Sequence, residues 1–149
     1  MTPLAIDLDA LGDTRPLWEA WLGSVSDVLE IDPNSVPADR GAAAAVLDQS
    51  GAGNWRSLLG RFSEDHAGAY LRRDADASAA LRALSASGVS IGVFTDAPAQ
   101  LAQVALAQLG ATRRVSALES GAGSLDRLCA TLGGDPVVIR TRDDLLSRP

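Results

Sequence analysis

The sequence predicts an α/β fold, a parallel sheet with an all-helical segment inserted after its first strand. Short apolar runs at Leu4–Leu8, Val89–Phe94, Arg114–Leu118 and Pro136–Ile139 have the length of strands. From Gly88 onward these runs alternate with helix-length segments, whereas residues 14–74 carry only helical periodicity. Strands that alternate with helices are joined by right-handed crossovers and lie parallel. The chain therefore divides into an α/β core of residues 1–13 and 75–149 and a helical cap of residues 14–74.

In chain order, the strand Leu4–Leu8 brings Asp7 and Asp9 to its carboxyl end. Trp18, Trp21, Leu22, Val25, Val28 and Leu29 recur at i, i+3, i+4 and i+7, which predicts an amphipathic helix with Pro16 in its first turn. Spacing of this kind makes the tryptophans packing residues rather than a ligand cage. Asp32-Pro33-Asn34 and Pro37 form a turn, Arg40–Leu47 an alanine-rich helix, and Ser50-Gly51-Ala52-Gly53-Asn54 a flexible loop. The next helix, Trp55–Leu71, has Leu59, Phe62, His66 and Tyr70 on its apolar face, so His66 reads as a hydrogen-bonded packing residue. A helix near Ala77–Ser87 stops at Gly88, one at Ala97–Leu109 stops at Gly110, and one at Ser124–Leu132 precedes the last strand.

Composition narrows the function. The chain has 149 residues, one core's worth with a small cap. Its net charge of -6 argues against nucleic acid or an anionic membrane as partner, because both demand a basic face. No run approaches the about 20 apolar residues needed to span a bilayer, and a cytoplasmic location is expected. The single cysteine, Cys129, shares an apolar stripe with Leu125, Leu128 and Leu132 and reads as a buried, inert thiol. All 13 basic residues are arginine. Any chemistry that needs a lysine is excluded, and a guanidinium has to substitute.

Two segments can carry chemistry. In an open α/β sheet, ligands bind beyond the carboxyl ends of the strands, where Asp7 and Asp9 fall one residue apart. A solvated strand end is the competing reading of this pair. The strand Val89–Phe94 ends in Thr95 and Asp96 directly before a helix, and a helix amino terminus offers free N–H groups to an anion. Taken alone, Thr95 or Asp96 is better read as a helix cap. Its placement opposite Asp7 in a parallel sheet turns the balance toward a ligand site.

These segments together resemble the haloacid dehalogenase (HAD) superfamily over nearly the whole chain. Asp7-Leu8-Asp9 followed by Asp13-Thr14 is similar to its Asp-x-Asp motif, although the usual Gly-Thr pair is missing, and Val93-Phe94-Thr95-Asp96 is similar to its second motif. A helical cap between the two motifs resembles the phosphoglycolate phosphatase and phosphoglucomutase-like branch. The resemblance implies a Rossmann-like core and a phosphatase acting on a small phosphorylated metabolite. Asp7 is then the nucleophile, Asp9 the general acid/base, and Thr95, Asp96 and Arg140 the phosphate-binding group. It also implies Mg2+ against Asp7, the carbonyl of Asp9 and Asp144. Asn54, Trp55 and Arg56 stand as candidate selectivity residues beside the cap, with plain connection as their alternative.

Two family positions depart from the pattern. Glu119 falls near the family lysine, and Arg140 stands where the first acid of the last motif belongs, while Asp144 remains. The expectation is a swapped Glu119–Arg140 ion pair, a weakened magnesium site and impaired activity. The alternative is an inactive HAD-fold module that binds a phosphorylated ligand, with Arg140 and Arg142 replacing the metal, or a protein partner. Either a monomer or a homodimer is compatible with the sequence.

Overall fold

The computed structural model describes residues 1–148. Four parallel strands, β1 (Leu4–Asp7), β2 (Ile91–Thr95), β3 (Ala117–Ser120) and β4 (Val137–Ile139), form one sheet in the order β3-β2-β1-β4. Their carboxyl ends lie at one edge, and the register aligns Asp7 with Phe94 and Phe94 with Glu119. Successive strand residues leave opposite faces. The row Asp7, Phe94, Glu119 therefore shares a face with Ala5, whereas Ile6, Val93 and Thr95 share the other.

On the Asp7 face lies α7 (Ser124–Leu132), whose Leu128 packs with Ala5 and Phe94 in a small buried cluster. Gly92 permits this close approach, since a Cβ there would meet the Leu128 side chain at 2.5 Å. The other face is covered by α1 (Leu8–Leu11), α5 (Ala75–Ala86), α6 (Ala99–Gln108) and α8 (Arg142–Leu146) in the main core. Arg142 holds α8 to α5 through Asp74 and Asp76. This corrects the expectation that Arg142 stands in for a metal, because its charge is spent between two helices.

The inserted segment supplies α2 (Arg15–Val25), α3 (Arg40–Gln49) and α4 (Trp55–Tyr70). Helix α4 packs along α6 and α2, so Leu17, Trp18, Trp21, Leu47, Trp55 and Leu59 belong to the same buried cluster as Ile6 and Val93. Trp18, Trp21 and Trp55 form a tilted stack with centroids 5.2 and 5.9 Å apart, the packing role expected of Trp18 and Trp21 but not of Trp55. Asp39 starts α3 by accepting the Ala42 N–H, and Asp74 starts α5 by accepting those of Asp76 and Ala77.

Three sequence expectations change. The first strand stops at Asp7 because the Asp7 carboxylate accepts the Asp9 N–H and caps α1, so Leu8 and Asp9 are helical. The buried face of α4 is Trp55, Leu59, Ser63 and Ala67, one turn apart at i, i+4. His66 is exposed, with its ring 4.3 Å from Phe62, and Tyr70 is exposed too. Cys129 is half-buried rather than buried. Among the described residues, no helix is long and apolar enough to cross a membrane.

Gly41 docks α3 onto the loop before α7, and a Cβ there would meet the backbone N of Ala122 at 2.9 Å. Alanine at this helical position gains about 1 kcal/mol in propensity, but overpacking against a backbone costs about 1–3 kcal/mol. Gly41→Ala is therefore expected to lower the urea midpoint, and a raised midpoint would refute the close docking of α3.

Candidate active site

A cleft of about 320 Å³ opens beyond the carboxyl edge of the sheet. It is lined by Asp7, Phe94, Asp96 and Arg140 from the strand ends, by Arg15 and Asp39 from the inserted segment, and by residues 121–126 ahead of and within α7. Asp9 lines it as well. Strand alternation selects this set. Asp7 and Phe94 leave the sheet on the cleft side, and Arg140, one residue beyond Ile139, lies over the Phe94 ring at 5.9 Å.

Asp9 and Asp96 of this lining meet at Arg40, which is 1% exposed at the first turn of α3 and does not itself line the cleft. Its Nη2 donates to Asp9 Oδ2 at 3.2 Å, its Nη1 to Thr14 Oγ1 at 2.6 Å and its Nε to Asp96 Oδ1 at 2.9 Å. Its own backbone N–H donates to Asp96 Oδ2 at 3.0 Å. The other oxygen of Asp9 accepts both the N–H and the hydroxyl of Thr14, at 3.0 and 2.7 Å. Arg15 adds a 3.5 Å contact to Asp96 and donates to the carbonyl of Ala38. Both oxygens of Asp9 and both of Asp96 are thus committed, whereas Asp7 accepts only the Asp9 N–H, through Oδ1.

These contacts separate the carboxylates electrostatically. Burial raises the Asp7 carboxyl above the ordinary 3.8; the Asp9 N–H opposes this, and the charges of Asp9 and Asp96 reinforce it. Burial also pushes Asp96 upward, but the amide, charge and guanidinium of Arg40 outweigh it and hold Asp96 below the ordinary value. Asp7 is the carboxylate that costs the protein stability, and Asp96 one that adds to it.

The remaining expected residues fall elsewhere. Thr95 is buried on the opposite face of β2 and accepts the Ala97 N–H through Oγ1 at 3.2 Å, which closes the turn after β2; it neither lines the cleft nor caps a helix, since α6 starts at Ala99 behind Pro98. Asp144 lies on α8 beside a different cavity, with Val138, Ile139, Ser147 and Arg148. Asn54 precedes α4, Trp55 is buried and donates to Asp48, and Arg56 pairs with Asp48 while stacking on Trp55 at 4.3 Å. Arg56 lines a neighbouring cavity of about 390 Å³ that shares Gly121 and Ala122 with the cleft. The swapped Glu119–Arg140 pair is not formed. Glu119 binds Arg127 of α7 at 3.2 Å instead, because both stand on the α7 face of the sheet.

Arg40, Asp39 and Arg15 are the site residues that the sequence reading passed over. A signal for Arg40 was present: it shares an i, i+3, i+7 stripe with Ala43 and Leu47, which places an arginine on the buried side of an alanine-rich helix.

The architecture is a HAD-like α/β fold. No family model matches the chain, and no curated protein matches it. Among solved structures it is similar to the crystal structure of a "putative beta-phosphoglucomutase" from Thermotoga maritima. The two share 15% identity with a TM-score of 0.59, over 94% of this chain and 75% of the other. The likeness is one of fold.

The sequence resemblance implies a magnesium site, and the residues present do not fit one. Among the described residues no group of three or more His, Cys, Asp or Glu side chains is placed to hold a metal. Asp144 is in another cavity, which leaves only Asp7 and the carbonyl of Asp9 from the expected set, and Arg140 brings a positive charge to the cleft.

Two outcomes follow. Arg40→Ala leaves Asp9 and Asp96 without their buried partner, and the expected loss is about 3 kcal/mol in denaturant-derived stability; a loss below 1 kcal/mol would show that solvent compensates the pair. For Asp7, a raised folded value means that the native state holds the proton longer, so stability falls as pH rises from 3.8 through that value. Asp7→Asn is expected to raise the melting temperature at neutral pH, with the gain vanishing below about pH 3.8. A gain that persists in acid would place its origin outside the titration of Asp7.

Proposed function

We propose that the chain is a HAD-fold hydrolase that binds a small phosphorylated metabolite in the cleft beside the inserted helices and hydrolyses it poorly. The helical insertion and the structural likeness support placement near the phosphoglycolate phosphatase and phosphoglucomutase-like branch. Asp7 is the nucleophile in this reading. Its carboxylate attacks phosphorus, the P–O bond to the leaving group breaks as that oxygen takes a proton from solvent water, and a second water then cleaves the aspartyl phosphate to inorganic phosphate and the free carboxylate. Arg140 supplies positive charge to the phosphoryl oxygens. Thr95 and Asp96 contribute by holding the turn after β2, and Arg56, at the neighbouring cavity, contributes selectivity.

The observation that carries the impairment is the state of Asp9. A general acid/base must exchange a proton with the leaving oxygen, and this work is typically worth about 10²–10⁴-fold in rate. With Arg40 on one oxygen and Thr14 bonded twice to the other, Asp9 keeps a single acceptor position, on the oxygen that the guanidinium already holds. A second reading, a binding module without turnover, is favoured by Arg140 in the cleft where the resemblance expects an acid.

Phosphate release from a panel of phosphomonoesters separates these readings. Slow turnover in the wild type, abolished in Asp7→Asn and changed less than about tenfold in Asp9→Asn, is the expected result, since Asp9 is already withdrawn from proton transfer. A loss of about 10²-fold or more in Asp9→Asn would show that Asp9 works as a free acid/base. Ester binding without any turnover would establish the module.

A further inference from the structure

We propose that the first turn of α7 and the Ser124 hydroxyl, with Arg140, form the subsite that holds the phosphate group of the ligand. The inference rests on the reading of the cleft as a phosphate-ester site and assigns the anion to residues that the sequence pattern did not single out.

The independent observation is Ser124. It is 6% exposed and lines the cleft. No hydrogen bond to its hydroxyl occurs among the described residues, so on an otherwise buried residue the hydroxyl meets the cleft without a protein partner. The backbone around it is in the same condition. The N–H of Ser124 bonds to the carbonyl of Gly121 and that of Arg127 to Gly123, while those of Ala122, Gly123, Leu125 and Asp126 have no acceptor among the described residues. Helix α7 has nine residues and no side-chain cap, so its amino-terminal dipole is offered to the cleft without a carboxylate capping it.

What keeps these amides open is the clamp beneath them. Arg127 donates to the carbonyls of Ser120 and Ala122 and to Glu119, which turns the loop carbonyls toward α7. Gly121 and Gly123, at φ +81° and +72°, supply the left-handed conformations this loop needs. Glu119, expected to face Arg140, has instead become the anchor of this loop. That leaves Arg140 free of any ion pair among the described residues and able to meet a dianion. One residue opposes the assignment by charge: Asp126 lies on the same turn and lines the same cleft.

The test is titration with inorganic phosphate and with p-nitrophenyl phosphate, followed through backbone amide NMR shifts in the wild type, Ser124→Ala and Asp126→Asn. The expected result has the largest shifts at Ala122–Asp126, affinity weakened about tenfold in Ser124→Ala, and affinity strengthened in Asp126→Asn. Both variants must keep the wild-type amide pattern away from the loop. Binding with shifts confined to Asp7–Ala10 and Asp96–Ala99, and equal affinity in Ser124→Ala, overturns this subsite while leaving the phosphate-ester reading intact. No shift with either probe overturns both.

Discussion

One buried guanidinium organises this molecule. Arg40, at the start of α3, joins α1, the loop that follows it and the turn after β2 through Asp9, Thr14 and Asp96. Removing such a charge from water costs several kcal/mol, which only well-formed partners recover. Five contacts, four from the side chain and amide of Arg40 and one from Arg15, satisfy this charge and the Asp96 carboxylate facing it. The same arrangement fixes α3 over the sheet edge, brings Gly41 against Ala122, and so shapes the wall shared by the cleft and its neighbouring cavity.

The consequence for chemistry follows from the geometry of a guanidinium. A lysine beside Asp9 and Asp96 would act as a compact charge that either carboxylate could share. The planar fork of arginine instead occupies one oxygen of each, in fixed directions, and Thr14 takes the other oxygen of Asp9. Asp9 gains a stable setting and loses mobility. Asp7 keeps an oxygen without a protein partner and bears the desolvation, and a carboxylate strained in this way is the kind of destabilised group that sites retain for function.

Much of the fold was legible because it is local. Helix-length periodicity marked α2 through α7, the strand runs marked the four strands within a few residues, and their alternation implied the parallel sheet. Asp7 at the end of β1 and Asp96 after β2 were legible for the same reason, since a strand end in a parallel sheet has a known address. What failed was parity and partnership. Thr95 was one residue out of phase with the cleft, a matter decided by the register of β2 against β1. His66 was placed on the buried face of α4 because Phe62 and Tyr70 share its spacing, whereas packing against α2 and α6 selected Leu59, Ser63 and Ala67. The partners of Arg40, Glu119 and Arg142 are 8 to 68 residues distant in sequence. No local pattern encodes such pairings.

The charge of the cleft follows from these pairings rather than from the composition. Asp9 and Asp96 are balanced by Arg40 and Arg15, which leaves Asp7, Asp39 and Asp126 against Arg140. By count, the remaining surface is acidic and repels a phosphate. The count, however, ignores how each group is engaged. Asp39 spends its carboxylate on the Ala42 N–H, and burial favours the protonated form of Asp7. Two unit charges 4 Å apart interact by about 4 kcal/mol at an effective dielectric of 20, so a guanidinium in place of a metal-binding acid reverses a term of that size for any ion placed beside it. The position that the resemblance reserves for a cation-binding acid thus becomes one that repels a cation and attracts an anion.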